Sequence, residues 1–248
     1  MRIKCVVEYD GTFFQGWQKQ DEGRTIQGEI ECALSQVLNQ QTSIYASGRT
    51  DAGVHAKNQV FHFDANKDVD IDKLRYSLNR MLDDDIYVKS VEIVDNAFHS
   101  RFSLKDKTYS YRILFKEKSP LEKNNVYVCP FPTNTEILEK CLNVFVGKHN
   151  FKNFTSKEED ESDFVREIYS INLSTCDDGI LCITFKGNGF MRYMIRYIVG
   201  VCLSVSQGKE NFDYILAHLD SDNFRDIVSF KAPACGLTLE NVSYQYTK

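Results

Sequence analysis

Signals for several common chemistries are missing from this chain. It has no G-x-x-x-x-G-K-[ST] run and no G-x-G-x-x-G after a strand pattern, so ATP and dinucleotide chemistry have no support. It has no G-x-S-x-G and no visible Ser/His/Asp pattern, which removes the usual hydrolase readings. The eight cysteines (Cys5, Cys32, Cys129, Cys141, Cys176, Cys182, Cys202, Cys235) form no C-x-x-C pair, and the five histidines are dispersed. Such cysteines read as buried free thiols in a reducing compartment, and no metal site is expected. Met1-Arg2-Ile3-Lys4 leads straight into a strand pattern with no signal-peptide apolar region. The longest apolar stretch, Phe190 to Val205, is interrupted by Arg192 and Arg196, so no membrane span and a cytoplasmic location are expected.

Proline is scarce too, at four residues, and no Pro/Gly/Ser-rich stretch marks a flexible linker. Positive charge is in short supply, with a net charge of −5 over 248 residues. That balance counts against a surface that coats nucleic acid generally, but leaves room for a local basic cleft. Between Arg101 and Lys118 the sign reverses: Arg101, Lys105, Lys107, Arg112, Lys116 and Lys118 face only Asp106 and Glu117. The acidic cluster of Glu158, Glu159, Asp160, Glu161 and Asp163 reads as a solvated loop.

What is present falls into two similar halves. The first reads as strand (3–9), helix (26–38), strand (42–46), strand (58–64), helix (72–82) and strand (86–94). Thr25 is placed to cap the first helix, and Asp70 lies in the capping region of the second. The second half reads as strand (109–115), helix (136–146), strands (165–175 and 180–186), an apolar helix (190–206), a short helix (212–219) and a strand (239–246). Thr133 and Glu136 have capping-box spacing, Gly147 is placed to stop that helix, and Asp177-Asp178-Gly179 signals a hairpin turn. The repeated βαββαβ order predicts an α+β fold of two ferredoxin-like halves, 1–105 and 106–248. Their mainly antiparallel sheets are expected to form one extended surface, with helices on one face and a central cleft.

The most specific local feature is Gly48-Arg49-Thr50-Asp51-Ala52-Gly53-Val54-His55-Ala56. It sets one carboxylate between two glycines, with an arginine two residues upstream, on a tight connection between strands. Small residues there let another molecule's backbone come close. An Asx-type turn is the ordinary explanation of such an acid, but nine residues are far more specific than a four-residue pattern. An ordinary Asp is already ionised at neutral pH, which favours a nucleophilic or ion-pairing role over general-base work. No second acid nearby suggests a glycosidase pair. Arg196 sits in the most apolar helix, where a buried guanidinium calls for a carboxylate partner; Arg192, one turn earlier, reads as snorkelling. Tyr109 and Tyr111 read as facing opposite sides of one strand, so that one of them can stack on a base from an open sheet face. The only tryptophan, Trp17, reads as buried in a Gly-bounded loop after Tyr9-Asp10-Gly11.

Together these residues resemble the TruA family of tRNA pseudouridine synthases. The likeness runs in order through 9–11, 16–20, 24–27, 48–55, 59–63, 98–103, 107–111, 147–154, 166–168, 189–200 and Gly236-Leu237. The resemblance implies an isomerase that breaks the N-glycosidic bond of a tRNA uridine and rejoins the base through C5, at positions 38 to 40 of the anticodon stem-loop. It implies a homodimer binding tRNA in a central cleft, with no cofactor and no metal. Residue by residue, Asp51 matches the catalytic aspartate, attacking either the uracil ring or the sugar. Arg49 matches the arginine that fills the space of the flipped nucleotide, Tyr109 the tyrosine stacked on uracil, and Arg196 the arginine paired with the aspartate. Leu237 matches an apolar pocket wall. A non-catalytic RNA-binding or chaperone protein on this fold is the alternative, but it would have no need of Asp51, Arg49, Tyr109 and Arg196 together. A glycosidase acting on free uridine is a third reading.

Overall fold

The computed structural model describes residues 1–117, 125–156, 163–176, 179–221 and 226–245. They contain ten strands and five α-helices. The chain divides into two compact units, one of Met1–Asp106 with Thr238–Lys248 and one of Lys107–Leu237.

The first unit runs β1 (Arg2–Tyr9), α1 (Ile26–Leu38), β2 (Tyr45–Ala46), β3 (His55–Asp64), α2 (Ile71–Met81) and β4 (Ile86–Val94), which is the expected βαββαβ order. Its strands lie in the order β4-β1-β3-β10, where β10 is Leu237–Tyr244, and β2 pairs with β3. Strand β1 is antiparallel to both β3 and β4. Its odd residues Ile3, Cys5, Val7 and Tyr9 are buried. Its even residues carry cross-strand ion pairs on the other face: Arg2 with Asp64, Lys4 with Glu92, and Glu8 with Lys89. That alternation is the period-two pattern of a half-covered sheet. Thr25 caps α1 by accepting from Gly28 N–H, worth about 1 kcal/mol, and Asp70 caps α2 by accepting from Lys73 N–H.

The last strand departs from the division at 105/106, which put it with the second half. Thr238 and Leu239 pair in parallel with His55 and Ala56. Asn58 Nδ2 donates to Glu240 O at 2.6 Å, and Lys57 pairs with the Glu240 carboxylate at 3.0 Å. These bonds group residues 238–248 with the first unit.

The second unit contains most of β5 (Leu104–Phe115), then β6 (Tyr127–Cys129), α3 (Thr135–Asn143), β7 (Gly147–Asn150), β8 (Val165–Thr175), β9 (Leu181–Gly187), α4 (Met194–Ser206) and α5 (Phe212–His218). Its strand order is β5-β9-β8-β7, with β6 parallel to β5. Strands β6 and β7 are too short to show a period in the sequence. Asn134, not Thr133, caps α3, because its Oδ1 accepts from both Glu136 and Ile137 N–H; the Thr133 hydroxyl donates instead to Phe131 O. Helix α4 begins at Met194 rather than Phe190, because Tyr193 lies in the left-handed region at φ 63°. Tyr109 and Tyr111 share a face, since β5 pairs with β9 without a bulge from Lys107 to Ile113. All eight cysteines are free thiols, but Cys32 and Cys176 are exposed rather than buried. Asp177 and Asp178 of the hairpin signal, Glu158 to Glu161 of the acidic cluster, and Tyr246 lie outside the described residues.

His62, on the ion-pairing face of β3, is only 1% exposed. Its Nδ1 lies 2.8 Å from the Ser100 hydroxyl and accepts from Ser100 N–H. Burial, then the nearby His99 and Arg2 charges, push its pKa from 6.5 down to about 4. An unfolded His62 therefore takes up a proton below 6.5 that the folded ring refuses until about 4. This contribution to stability is full above that window and is lost as pH falls through it. Asp64, held below its usual range by the Arg2 guanidinium, loses its contribution only at still lower pH. Urea midpoints are expected to fall between pH 7 and pH 5, and His62→Gln is expected to shrink that fall. An unaltered pH dependence in the variant would contradict this assignment.

Candidate active site

The Asp51 segment is held by backbone contacts and by a clamp of buried polar side chains. It leaves β2 at Ser47, whose N–H donates to Val60 O at 2.8 Å and whose hydroxyl donates to Gln59 Oε1 at 2.6 Å. Gln59 is fully buried and closes the clamp, its Nε2 donating to Gly48 O at 2.9 Å. Two residues on, the buried Tyr9 and Thr50 hydroxyls share a hydrogen bond of 2.8 Å. Burial pushes the Tyr9 phenol pKa up, so this bond joins two neutral groups. Thr50 O also accepts from Trp17 N–H at 3.0 Å. The Trp17 ring is buried between Tyr9 and Phe61, with centroids 6.0 and 6.2 Å away.

Asp51 itself opens a turn closed by Val54 N–H donating to Asp51 O at 3.1 Å, with Gly53 at φ 77°. A side chain would be strained there, which explains the glycine. Two other glycines let the preceding loop lie against this turn. A Cβ on Gly11 would stand 2.0 Å from Val54 O, and one on Gly16 would stand 2.7 Å from Thr50 O. Gly16 O and Trp17 O in turn accept from Ile26 and Gln27 N–H, joining the start of α1 to the same frame. Thr50 and Val54 are buried, Asp51 is half-buried and Arg49 is exposed. The frame thus presents a carboxylate and a guanidinium from a fixed segment.

Behind the turn lies His55, 5% exposed, whose Nδ1 accepts from Gly11 N–H at 3.2 Å and lies 3.1 Å from Asp10 Oδ1. Burial raises the Asp10 pKa, but bonds from the Thr12 hydroxyl and N–H, with the nearby His55, outweigh it and hold it below its usual range.

The other expected residues stand in the second unit. Tyr109 is 7% exposed on β5, its ring edge-on to Phe190 at 5.3 Å. Arg196 is half-buried on α4 and bonded twice to one residue: Nε donates to Ala232 O at 2.8 Å, and its own carbonyl accepts from Ala232 N–H at 2.9 Å. Its guanidinium lies 5.2 Å from the Tyr193 ring centre, which Arg192 and Lys231 also approach, at 4.8 and 4.3 Å. Three cations around one aromatic ring make a local positive field suited to an anionic partner. Leu237 is buried, at the start of β10 behind the Ala234–Gly236 turn. The structure thus sets Arg49 two residues before the Asp51 turn, and braces Tyr109 against Phe190 and Arg196 against Ala232.

The model of the family described as tRNA pseudouridine synthase matches residues 5–103 and 142–245. The chain belongs to this family. Arg49, Asp51, Arg196 and Leu237 fall within the matched residues, and Tyr109 falls between them. Full-length relatives agree. A protein of a Geobacillus species named tRNA pseudouridine synthase A is 42% identical over 245 residues, 98% of each chain. One from Brevibacillus brevis, with the same name, is 39% identical over 250 residues, covering 98% of this chain and 99% of the relative. Among solved structures, an archaeal box H/ACA sRNP Nop10-Cbf5 complex matches with a TM-score of 0.36 at 10% identity, over 81% of this chain and 44% of that one.

Sequence reading passed over the clamp that serves the turn. Gln59 gave one signal, a carboxamide just before the apolar Val60-Phe61-His62-Phe63 run of β3. Tyr193 and Lys231 gave none, because their contacts depend on the left-handed residue before α4. The glycine contacts generate a test. Gly11→Ala is expected to destabilise the protein by about 1–3 kcal/mol, the cost of forcing backbone apart. Each 1 kcal/mol lowers Tm by about 2–4 °C in a chain of this size. Gly189→Ala is the control, since a Cβ there meets nothing within 4 Å. Equal melting of both variants would show that the close approach is not what holds the turn.

Proposed function

We propose that this protein isomerises uridine to pseudouridine in tRNA, at positions 38 to 40 of the anticodon stem-loop, with Asp51 as the nucleophile. The observation that carries the reading is the carboxylate on its backbone-anchored turn, within residues that the tRNA pseudouridine synthase family model matches. Relatives that match along nearly the full chain are named tRNA pseudouridine synthase A, which supports tRNA as the substrate.

The reaction needs no net oxidation or reduction. The bond between the sugar and N1 breaks, the uracil turns, a carbon–carbon bond forms to C5, and the C5 proton is lost while N1 gains one. Asp51 supplies the electron pair that opens this sequence, at the base or at the sugar. Holding the carboxylate on a fixed turn removes the cost of positioning it during the reaction. Arg196 is assigned as its ion-pair partner, keeping it ionised; the hydrogen bond from its Nε to Ala232 O aims that guanidinium. Tyr109 is assigned to stack on the uracil, its ring already braced by Phe190. Arg49, exposed just before the same turn, is assigned to fill the space of the flipped nucleotide, which offsets part of an unstacking cost of a few kcal/mol. Leu237 supplies an apolar wall. The working form is assigned as a homodimer in the cytoplasm.

Asp51→Asn is the test, because it keeps shape and removes charge. Pseudouridine formation in a tRNA transcript is expected to fall by about 10⁴-fold or more, as when an essential nucleophile is lost, with tRNA binding and melting retained. Turnover near the wild-type rate would contradict the assignment. A wild-type protein that binds tRNA but forms no pseudouridine would support a non-catalytic binder, and release of uracil from free uridine would support a glycosidase.

A further inference from the structure

A second feature of the first unit lies on the sheet face that carries Arg2 and Lys4. Here aromatic rings stack outward from the sheet toward solvent. Tyr45 stacks on His62 at 5.3 Å and 26°. His99 meets His62 edge-on at 4.7 Å, and Phe102 lies over His99 at 4.3 Å and 36°. Tyr45 is 54% exposed and Phe102 is 78% exposed.

A single exposed ring needs no explanation. This one sits on a loop that is firmly built. Arg2 Nη1 donates to Asn96 O at 2.7 Å and Phe98 O at 2.8 Å, and Tyr244 Oη donates to Ser100 O at 3.0 Å. His99 N–H donates to Ser103 Oγ, and Ser103 N–H donates back to His99 O, at 3.0 and 2.9 Å. Phe102 is therefore held out in the solvent by ordered neighbours.

The composition of the patch selects its occupant. Its exposed side chains, Tyr45 and Phe102, are flat rings that a base can stack on. The acids on this face are already paired, Asp64 with Arg2 at 2.9 Å and Glu92 with Lys4 at 3.2 Å. The neighbouring Arg101 is exposed and has no acidic partner among the described residues. Flat rings beside an unneutralised guanidinium fit a base and its phosphate. Burial, with Arg2 and Arg101 close by, also lowers the His99 pKa, so its ring stays neutral at neutral pH.

We infer that Tyr45, His99 and Phe102 form a stacking platform for an unpaired nucleotide of the substrate RNA, with Arg101 on the adjoining phosphate. The inference rests on the proposed function in taking RNA as the substrate, and names a further subsite besides the one that holds the reacting uridine.

The test uses the full-length enzyme and a tRNA transcript at one fixed salt concentration. Phe102→Ala and Tyr45→Ala are each expected to raise Kd and KM by about tenfold, the effect of losing one base–aromatic stack, with a smaller change in kcat. Phe102→Tyr keeps the ring and is expected to bind within about twofold of wild type. Phe102→Trp adds a readout that a structural role would not move: its fluorescence is expected to be quenched on adding tRNA. Alanine variants that bind tRNA as tightly as wild type, or a Trp signal unmoved by tRNA, would overturn the platform. So would sedimentation showing that these variants dissociate a dimer while tRNA binding is unchanged, which would assign the patch to a second copy of the chain. If wild type forms no pseudouridine yet shows the same ring-dependent tRNA binding, the platform stands and the isomerase reading fails.

Discussion

Backbone packed directly on backbone is the constraint on which the Asp51 turn depends. Gly11 and Gly16 bring one loop so close to residues 50–54 that a single methyl on either would collide with a peptide group. Contact of that kind cannot be adjusted by changing a rotamer. It places the Trp17 N–H under Thr50, lets the Tyr9 and Thr50 hydroxyls meet in the core, and ties the assembly to the first turn of α1. The backbone of Asp51 is placed by this frame. A carboxylate on a mobile loop would have to lose its freedom at each turnover, and here that cost is met in folding.

Charge is managed locally in the same way. A chain with net charge −5 is a poor candidate for coating nucleic acid, yet its cations are gathered where rings can hold them. In the second unit, Arg192, Arg196 and Lys231 surround Tyr193. In the first, Arg2 and Lys4 neutralise the acids of their own sheet face, beside the exposed Arg101 and the rings of Tyr45 and Phe102. Attraction for an anionic partner then depends on where such clusters lie and not on the overall sum.

Much of this was legible in the sequence where one residue type has one physical use. The run from Gly48 to Ala56 announced a tight turn bearing an acid, and α1 showed both its apolar stripe and its Thr25 cap. The βαββαβ order of the first unit followed from periodicity alone. Other features turn on competition between neighbours. Asn134 outcompeted Thr133 as a cap because its oxygen reaches two N–H groups. The left-handed Tyr193 delayed the start of α4, which the apolar pattern from Phe190 could not show. Strand β10 pairs with β3 across more than 170 residues of chain, a long-range choice that no local pattern encodes. Tyr109 and Tyr111, expected on opposite faces, share one, because residues two apart on a strand point the same way and β5 pairs with β9 without a bulge.

The central claim is that a fixed carboxylate at position 51 makes pseudouridine in the anticodon arm of tRNA. The most direct measurement is a pseudouridine map of the host's tRNAs from cells carrying either the wild-type gene or only its Asp51→Asn form, at matched protein levels. The account predicts that uridines at positions 38 to 40 lose their modification in the second strain and that other pseudouridines stay. An identical map from both strains would contradict it.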